Sequence, residues 1–188
     1  MAHFFQNHPQ INYDLLKNNK PRTIQNPLVR YRIKDSWRDR TAAYYRHDVE
    51  EGQTAQFIAH RYYDDVTLDW IIYVVNDMLD PYYDWPLDYQ PFINFIKAKY
   101  TTVESALNTT HHYEWIYQAK QVLYDNTIVP EKKIIVDATT YAGLPVDSKR
   151  EVSNYTYEQE LNDAKRNIRV LRSEYIDLFI SEAESIFE

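Results

Sequence analysis

Residues Gly52–Trp85 read GQTAQFIAHRYYDDVTLDWIIYVVNDMLDPYYDW, and this stretch decides how the rest of the chain is organised. In its first half Ala55, Ile58, Ala59 and Tyr62 fall at i, i+3, i+4 and i+7. In its second half Leu68, Ile71, Ile72, Val75 and Leu79 follow the same template, so the stretch predicts two short amphipathic helices. Short side-chain oxygens satisfy the free N–H groups of a first helical turn, which makes Thr54 the expected cap of the first helix and Thr67 that of the second. Asp64-Asp65 separates the two. Asp80-Pro81 ends the pair, because proline disfavours helical geometry in the residue before it.

The order Gly52, Thr54, Ile58, Ala59, Tyr62, Leu68 and Asn76 resembles a LysM module, with its Gly-x-Thr opening, Ile-Ala-x-x-Tyr helix and second helix ending in Asn. The extension is more specific. Leu68-x-Trp70 followed by Asn76-Asp77-x-x-Asp80-Pro81-Tyr82-Tyr83-x-Trp85 resembles the LysM-like segment of a baseplate wedge family of contractile-tailed phages, number fifty-three in coliphage nomenclature. Phe4-Phe5, Pro21-x-Thr23-Ile24, Asn162-Asp163-x-x-Arg166-x-Ile168-Arg169-Val170-Leu171 and Ile176-x-x-Phe179 carry the likeness toward both ends, and it is weakest over residues 101–150. The chain departs from the family pattern at two glycines, where it has Asp64 and Asp84. Such glycines commonly take a left-handed backbone, which aspartate tolerates at a cost of about 1 kcal/mol.

With 188 residues the chain can form one large domain or two small ones. Its 18 Tyr, 4 Trp and 7 Phe supply side chains with an apolar body and a polar tip, suited to interfaces as well as cores. A net charge of −7 gives no electrostatic footprint for a nucleic-acid backbone. The lack of cysteine removes thiol catalysis, disulfides and thiolate zinc sites, and fits an intracellular chain. Only Gly52 and Gly143 are glycines, which excludes phosphate-cradling loops, dinucleotide-binding turns and nucleophile elbows. The longest apolar run, Trp70–Val75, is too short to span a bilayer, and the amino terminus lacks the basic and apolar regions of a leader.

Taken in order, the chain predicts an α+β protein: a LysM-like helix pair with flanking strands, an extended N-terminal arm, a small antiparallel sheet and a long C-terminal helix. Residues 1–40 form the arm, docked by Ile11, Tyr13, Leu15 and Leu16 between Pro9, Pro21 and Pro27. Val29-Arg30-Tyr31-Arg32-Ile33 alternates with period two, and Ala43–Val49 is the strand expected to lead into the LysM-like unit at 41–87. Phe92, Ile93, Phe95, Ile96 and Tyr100 predict a helix over 88–107, with Pro91 in its first turn, inside a segment 88–108. In 109–150 the runs Tyr113–Tyr117, Val122–Tyr124 and Lys133–Asp137 predict short strands, closed by Pro145 and the charged residues 147–150. In 151–188 a Thr156-x-x-Gln159 capping box and the seam Leu161, Ala164, Ile168, Leu171, Tyr175, Leu178 predict one helix over 157–187.

No cluster in the sequence has the spacing of a catalytic or metal site. His111-His112 with Glu114 is the nearest to a metal set, but adjacent strand residues point to opposite faces; His60 with Asp64 and Asp65 is the next. Asp64-Asp65, Asp77 with Asp80, and Glu50-Glu51 are explained by caps and turns, leaving no general acid and base. The expectation is therefore a non-enzyme with no cofactor and no metal. Trp70 and Tyr73 lie off the Leu68-Ile71-Ile72-Val75 stripe, so the second helix has apolar groups on two sides and buries both, one against its sister helix and the other against flanking segments or a second protein. Asn76 reads as a C-terminal cap or a side chain bonded to the following turn. Candidate interface or structural residues are Trp70, Tyr73, Asn76, Asp80, Pro81, Tyr82, Tyr83, Trp85, Leu161, Ile168, Leu171 and Tyr175. The resemblance implies a structural virion protein that joins baseplate wedges during tail assembly, with other wedge proteins and neighbouring copies in a sixfold baseplate as partners. It also implies a location in the tail baseplate and, during assembly, in the host cytoplasm, without nucleic acid or membrane. The alternative is a LysM-type protein that binds cell-wall glycans.

Overall fold

The computed structural model describes residues 8–26, 28–29 and 33–184, and is α+β. Phe4-Phe5 and Arg30–Arg32, the heart of the first predicted strand, lie outside the described residues. The chain divides into two compact units, residues 1–86 with 165–188, and residues 87–164.

The first unit is built on the predicted helix pair. Thr54 accepts a hydrogen bond from the Phe57 N–H at 3.2 Å and starts α2, Ala55–Tyr63. Asp64 ends it in the left-handed conformation, φ 55°. The second helix, α3, spans Asp69–Val75 and is entered through a 3-10 turn at Val66–Leu68. That turn is capped by Asp65, whose carboxylate accepts from the N–H of Thr67, so the expected cap at Thr67 moves two residues back. The helix also ends earlier than its apolar stripe, at Asn76, because Asp77 takes a left-handed φ of 55°; Leu79 is thereby left exposed.

Strand β3, Tyr44–Asp48, precedes the pair as expected. Its antiparallel partner is β9, Asn167–Leu171, with Tyr44 opposite Leu171 and Asp48 opposite Asn167. This corrects the single helix over 157–187. The chain instead forms α8 (Asn154–Ala164), β9 and α9 (Ile176–Glu184). Ile168 and Val170 alternate with Asn167 and Arg169, and this period-two pattern wins over the three-and-four spacing because β3 offers a strand to pair with. Ser153, not Thr156, caps α8, accepting from the Thr156 N–H at 3.2 Å.

Helix α3 sits between two clusters and buries both of its apolar sides within the first unit. Trp70, Ile71 and Val75 pack with Trp37 of α1 (Asp35–Arg38), Tyr44, Leu171 and Phe179 of α9. Ile72 packs with Val49, Ile58, Ala59, Ile168 and Val170. Burying each such side chain contributes roughly 1.5–3 kcal/mol, so α3 is the element on which this unit condenses. The N-terminal segment is a hairpin, not an extended arm: β1 (Gln10–Tyr13) pairs with β2 (Arg22–Gln25). Its loop is closed by Asp14, whose carboxylate accepts from the N–H groups of Asn18 and Asn19, and Leu15 and Leu16 are left exposed where docking was expected.

The second unit holds α5 (Tyr89–Tyr100) and α6 (Val103–Asn108), where one helix was expected. Thr101, at φ 71°, breaks the run and Thr102 caps α6, accepting from Ser105. A three-stranded antiparallel sheet follows, in the order β7 (Lys132–Val136), β4 (Thr110–Gln118), β8 (Lys149–Ser153). The hairpin β5 (Gln121–Val122) and β6 (Ile128–Val129) and helix α7 (Ala138–Gly143) complete the β region. Strand β8 was not expected; its charged start, Lys149-Arg150, reads as loop. Asn162 clasps the two ends of the unit together, accepting from the Leu87 N–H at 2.7 Å and donating to the Leu87 carbonyl at 2.9 Å.

Candidate functional site

The residues after α3 form a one-turn helix, α4 (Pro81–Asp84), whose construction is dictated by its sequence. Asp80 caps it, accepting from the Tyr82 N–H at 2.9 Å, and Pro81 takes the first position, where its missing N–H costs nothing. Asp84 turns its carboxylate back onto the N–H groups of Leu79 and Asp80, at 2.8 and 3.0 Å. Those bonds, the one from Asp80 foremost, hold its pKa below the ordinary carboxylate range. Asp84 does not take a left-handed backbone; it closes the turn with its side chain instead.

Trp85 anchors the far end. Its Nε1 donates to the Gln53 carbonyl at 3.1 Å, and its ring meets Tyr73 edge-on with centroids 5.9 Å apart. Lys165 donates to the Tyr83 carbonyl. With cap, carboxylate lock and tryptophan fixed, the two tyrosines between them point outward: Tyr82 is 87% exposed and Tyr83 74%. Together with exposed Leu79 they form an aromatic surface on a rigid base.

The structure sorts the other predicted residues. Trp70 is buried against Phe179, centroids 6.0 Å apart, and Ile168 and Leu171 are core residues of β9; these three are scaffold and not surface. Tyr73 is half-buried as the support of Trp85. Tyr175 packs edge-on against Trp37 at 6.0 Å, and Leu161 lies exposed on α8; the residues of the predicted seam are divided among α8, β9 and the segment through α9. Asn76 does more than cap. Its Nδ2 donates to the carbonyls of Ile72 and Arg169, both at 2.8 Å, and its Oδ1 accepts from the Arg169 N–H at 2.8 Å. One amide thus satisfies both backbone groups of Arg169 and locks β9 onto the end of α3.

His111 and His112 come together despite being neighbours, with their Nδ1 atoms 2.7 Å apart, because the β4–β8 register shifts between Thr110 and His112. His111 stacks on Tyr157 at 3.8 Å. Among the described residues no group of three His, Cys, Asp or Glu side chains could hold a metal ion. The acidic pairs have structural partners: Asp77 meets Arg38 at 2.6 Å, Glu51 meets Arg166 at 3.5 Å, and Asp65 and Asp80 are caps. His60 is exposed beside Asp64.

Sequence reasoning missed a buried charge in the second unit. Glu114 is only 3% exposed, yet Arg150 reaches it at 2.6 Å, Lys133 at 2.8 Å and His112 at 3.3 Å. Arg150 continues to Glu131 at 3.0 Å and Lys133 to Glu160 at 3.1 Å. Burial raises the Glu114 pKa, but the hydrogen bonds from Lys133, Arg150 and His112 outweigh it and hold the carboxyl below its ordinary value. Arg150 and Val152 share one face of β8, but the charge of Arg150 masks that pattern in the sequence. No helix among the described residues is long and apolar enough to cross a membrane. In comparison with known proteins, the chain matches no protein-family model and has no significant match among curated proteins.

Proposed function

We propose that this chain is a structural virion protein, a baseplate wedge subunit that joins wedges as a contractile phage tail assembles. The observation that carries the reading is the presentation of Tyr82 and Tyr83, both largely exposed on a turn that Asp80, Asp84 and Trp85 hold rigid. These residues belong to the stretch whose sequence most resembles the wedge family. The strand-helix-helix-strand arrangement of β3, α2, α3 and β9 supports the LysM side of the same resemblance. Rigid exposed tyrosines bind other proteins well, because a large ring is desolvated at little cost in side-chain entropy, and such anchors carry roughly 2 kcal/mol or more each. The mechanism is docking: Tyr82, Tyr83 and Leu79 bury themselves in a neighbouring wedge protein or copy in a sixfold ring, and surrounding charges set the register.

The test is co-expression with the remaining baseplate proteins of the same phage, followed by affinity purification. Wild type is expected to bring down wedge proteins. The Tyr82→Ala, Tyr83→Ala double variant is expected to lose them while melting at the same temperature. Recovery of neither partner nor complex, with sedimentation on insoluble peptidoglycan or chitin reversed by free oligosaccharide, contradicts the proposal and supports glycan binding.

A further inference from the structure

Strand β7 lies at the edge of the three-stranded sheet, and its outward side has no strand beside it among the described residues. Its sequence, Lys132-Lys133-Ile134-Ile135-Val136, is strongly β-forming, and Ile134 and Ile135 are 45% and 72% exposed. An apolar edge of this kind presents unpaired backbone groups that a further strand can complete. We propose that the occupant is a second copy of this chain, the two β7 strands pairing antiparallel about Ile135 and merging two sheets into one.

The register follows from symmetry and charge. A two-fold axis through an antiparallel ladder must pass where one residue faces its own copy. Centred on Lys133, the pairing sets Lys133 against Lys133. Centred on Ile134, it sets Glu131 against Asp137. Centred on Ile135, it sets Lys133 against Asp137 twice, Ile134 against Val136 twice, and Ile135 against Ile135. Opposite charges across a ladder stabilise it and like charges oppose it, so the Ile135 register is selected. Asp137 has the extended backbone this needs, φ −77° and ψ 165°, before α7 begins. Lys133, a third exposed, keeps its bonds to Glu114 and Glu160 on the same face. An isologous contact of this kind closes at two copies. It involves the second unit alone and does not depend on the baseplate reading, since Tyr82 and Tyr83 belong to the first unit.

The full chain contains no cysteine, which gives a direct test. Opposed residues in an antiparallel ladder lie about 4.5–5.5 Å apart at Cα, within disulfide reach. An Ile135→Cys variant is expected to form a disulfide-linked dimer on mild oxidation at least tenfold faster than Tyr124→Cys, a control at a fully exposed position. Sedimentation of wild type is expected to show concentration-dependent doubling of mass, abolished by Ile135→Lys with an unchanged circular dichroism spectrum. Equal cross-linking of the two cysteines, or a wild type that stays monomeric at every concentration, overturns the proposal. These outcomes leave wedge binding by Tyr82 and Tyr83 unaffected, so the two ideas fail separately.

Discussion

At Asn76 a single amide does the work of a third strand, satisfying the N–H and C=O of Arg169 on the outer edge of β9. Removing it strands two backbone groups, so Asn76→Leu is expected to lower stability by about 1–3 kcal/mol in urea unfolding. Asn76→Asp is expected to do similar damage, since a carboxylate cannot donate to the Ile72 and Arg169 carbonyls. The two aromatic classes in this region separate cleanly. Trp70→Ala opens a cavity beside Phe179 and is expected to cost about 3–5 kcal/mol. Tyr82→Ala and Tyr83→Ala are expected to stay within about 0.5 kcal/mol of wild type, because neither ring is packed. Residue-scale reading of the sequence succeeded where the chemistry is local: the Thr54 cap and the left-handed site at Asp64 are both in place. It placed Asn76 at the end of α3 as a cap but not its bonds to Arg169, which lies far along the chain and leaves no trace near the residue.

Elements with one dominant period were legible, and those with two were not. Helix α2 and strand β4 form where their patterns place them, and α3 does so as far as Asn76. The run 161–178 carries both helical spacing and the alternation of Ile168 with Val170, and only the availability of β3 decides between them. Strand β8 went unread because a charged residue in a strand signals solvent unless its counterion is known. Here Arg150, a third exposed, turns its guanidinium onto the buried Glu114. Arg150→Met leaves that buried carboxylate short of a partner and is expected to destabilise the second unit by roughly 3 kcal/mol. The pH dependence has a definite sign. The folded Glu114 pKa is lowered from 4.5, so its stabilisation is full above the unfolded value and is lost as pH falls through the folded one. Acid titration followed by the circular dichroism of unit 87–164 is expected to show weakening below about pH 4.5, diminished in Glu114→Gln.

For the whole molecule, the linear division into arm, LysM-like unit, helix, β region and terminal helix gives way to a nested one. Residues 87–164 interrupt a first unit that needs β9 from beyond them. Sequence proximity hid this, because the strand that completes β3 follows an entire second core of Phe92, Ile96 and Ala106. The Asn162–Leu87 clasp ties the inserted unit's ends, and a fragment spanning 87–164 is expected to unfold cooperatively in urea by itself. Asn162→Ala is expected to lower its midpoint. The proposal is that this chain docks through the Tyr82–Tyr83 surface inside a tail baseplate. Cryo-electron microscopy of contractile-tailed particles purified from the source of this sequence tests the proposal most directly. The account predicts density for the chain in the wedge with both tyrosine rings buried against a neighbouring subunit; particles that lack the chain, or hold it with those rings facing solvent, contradict it.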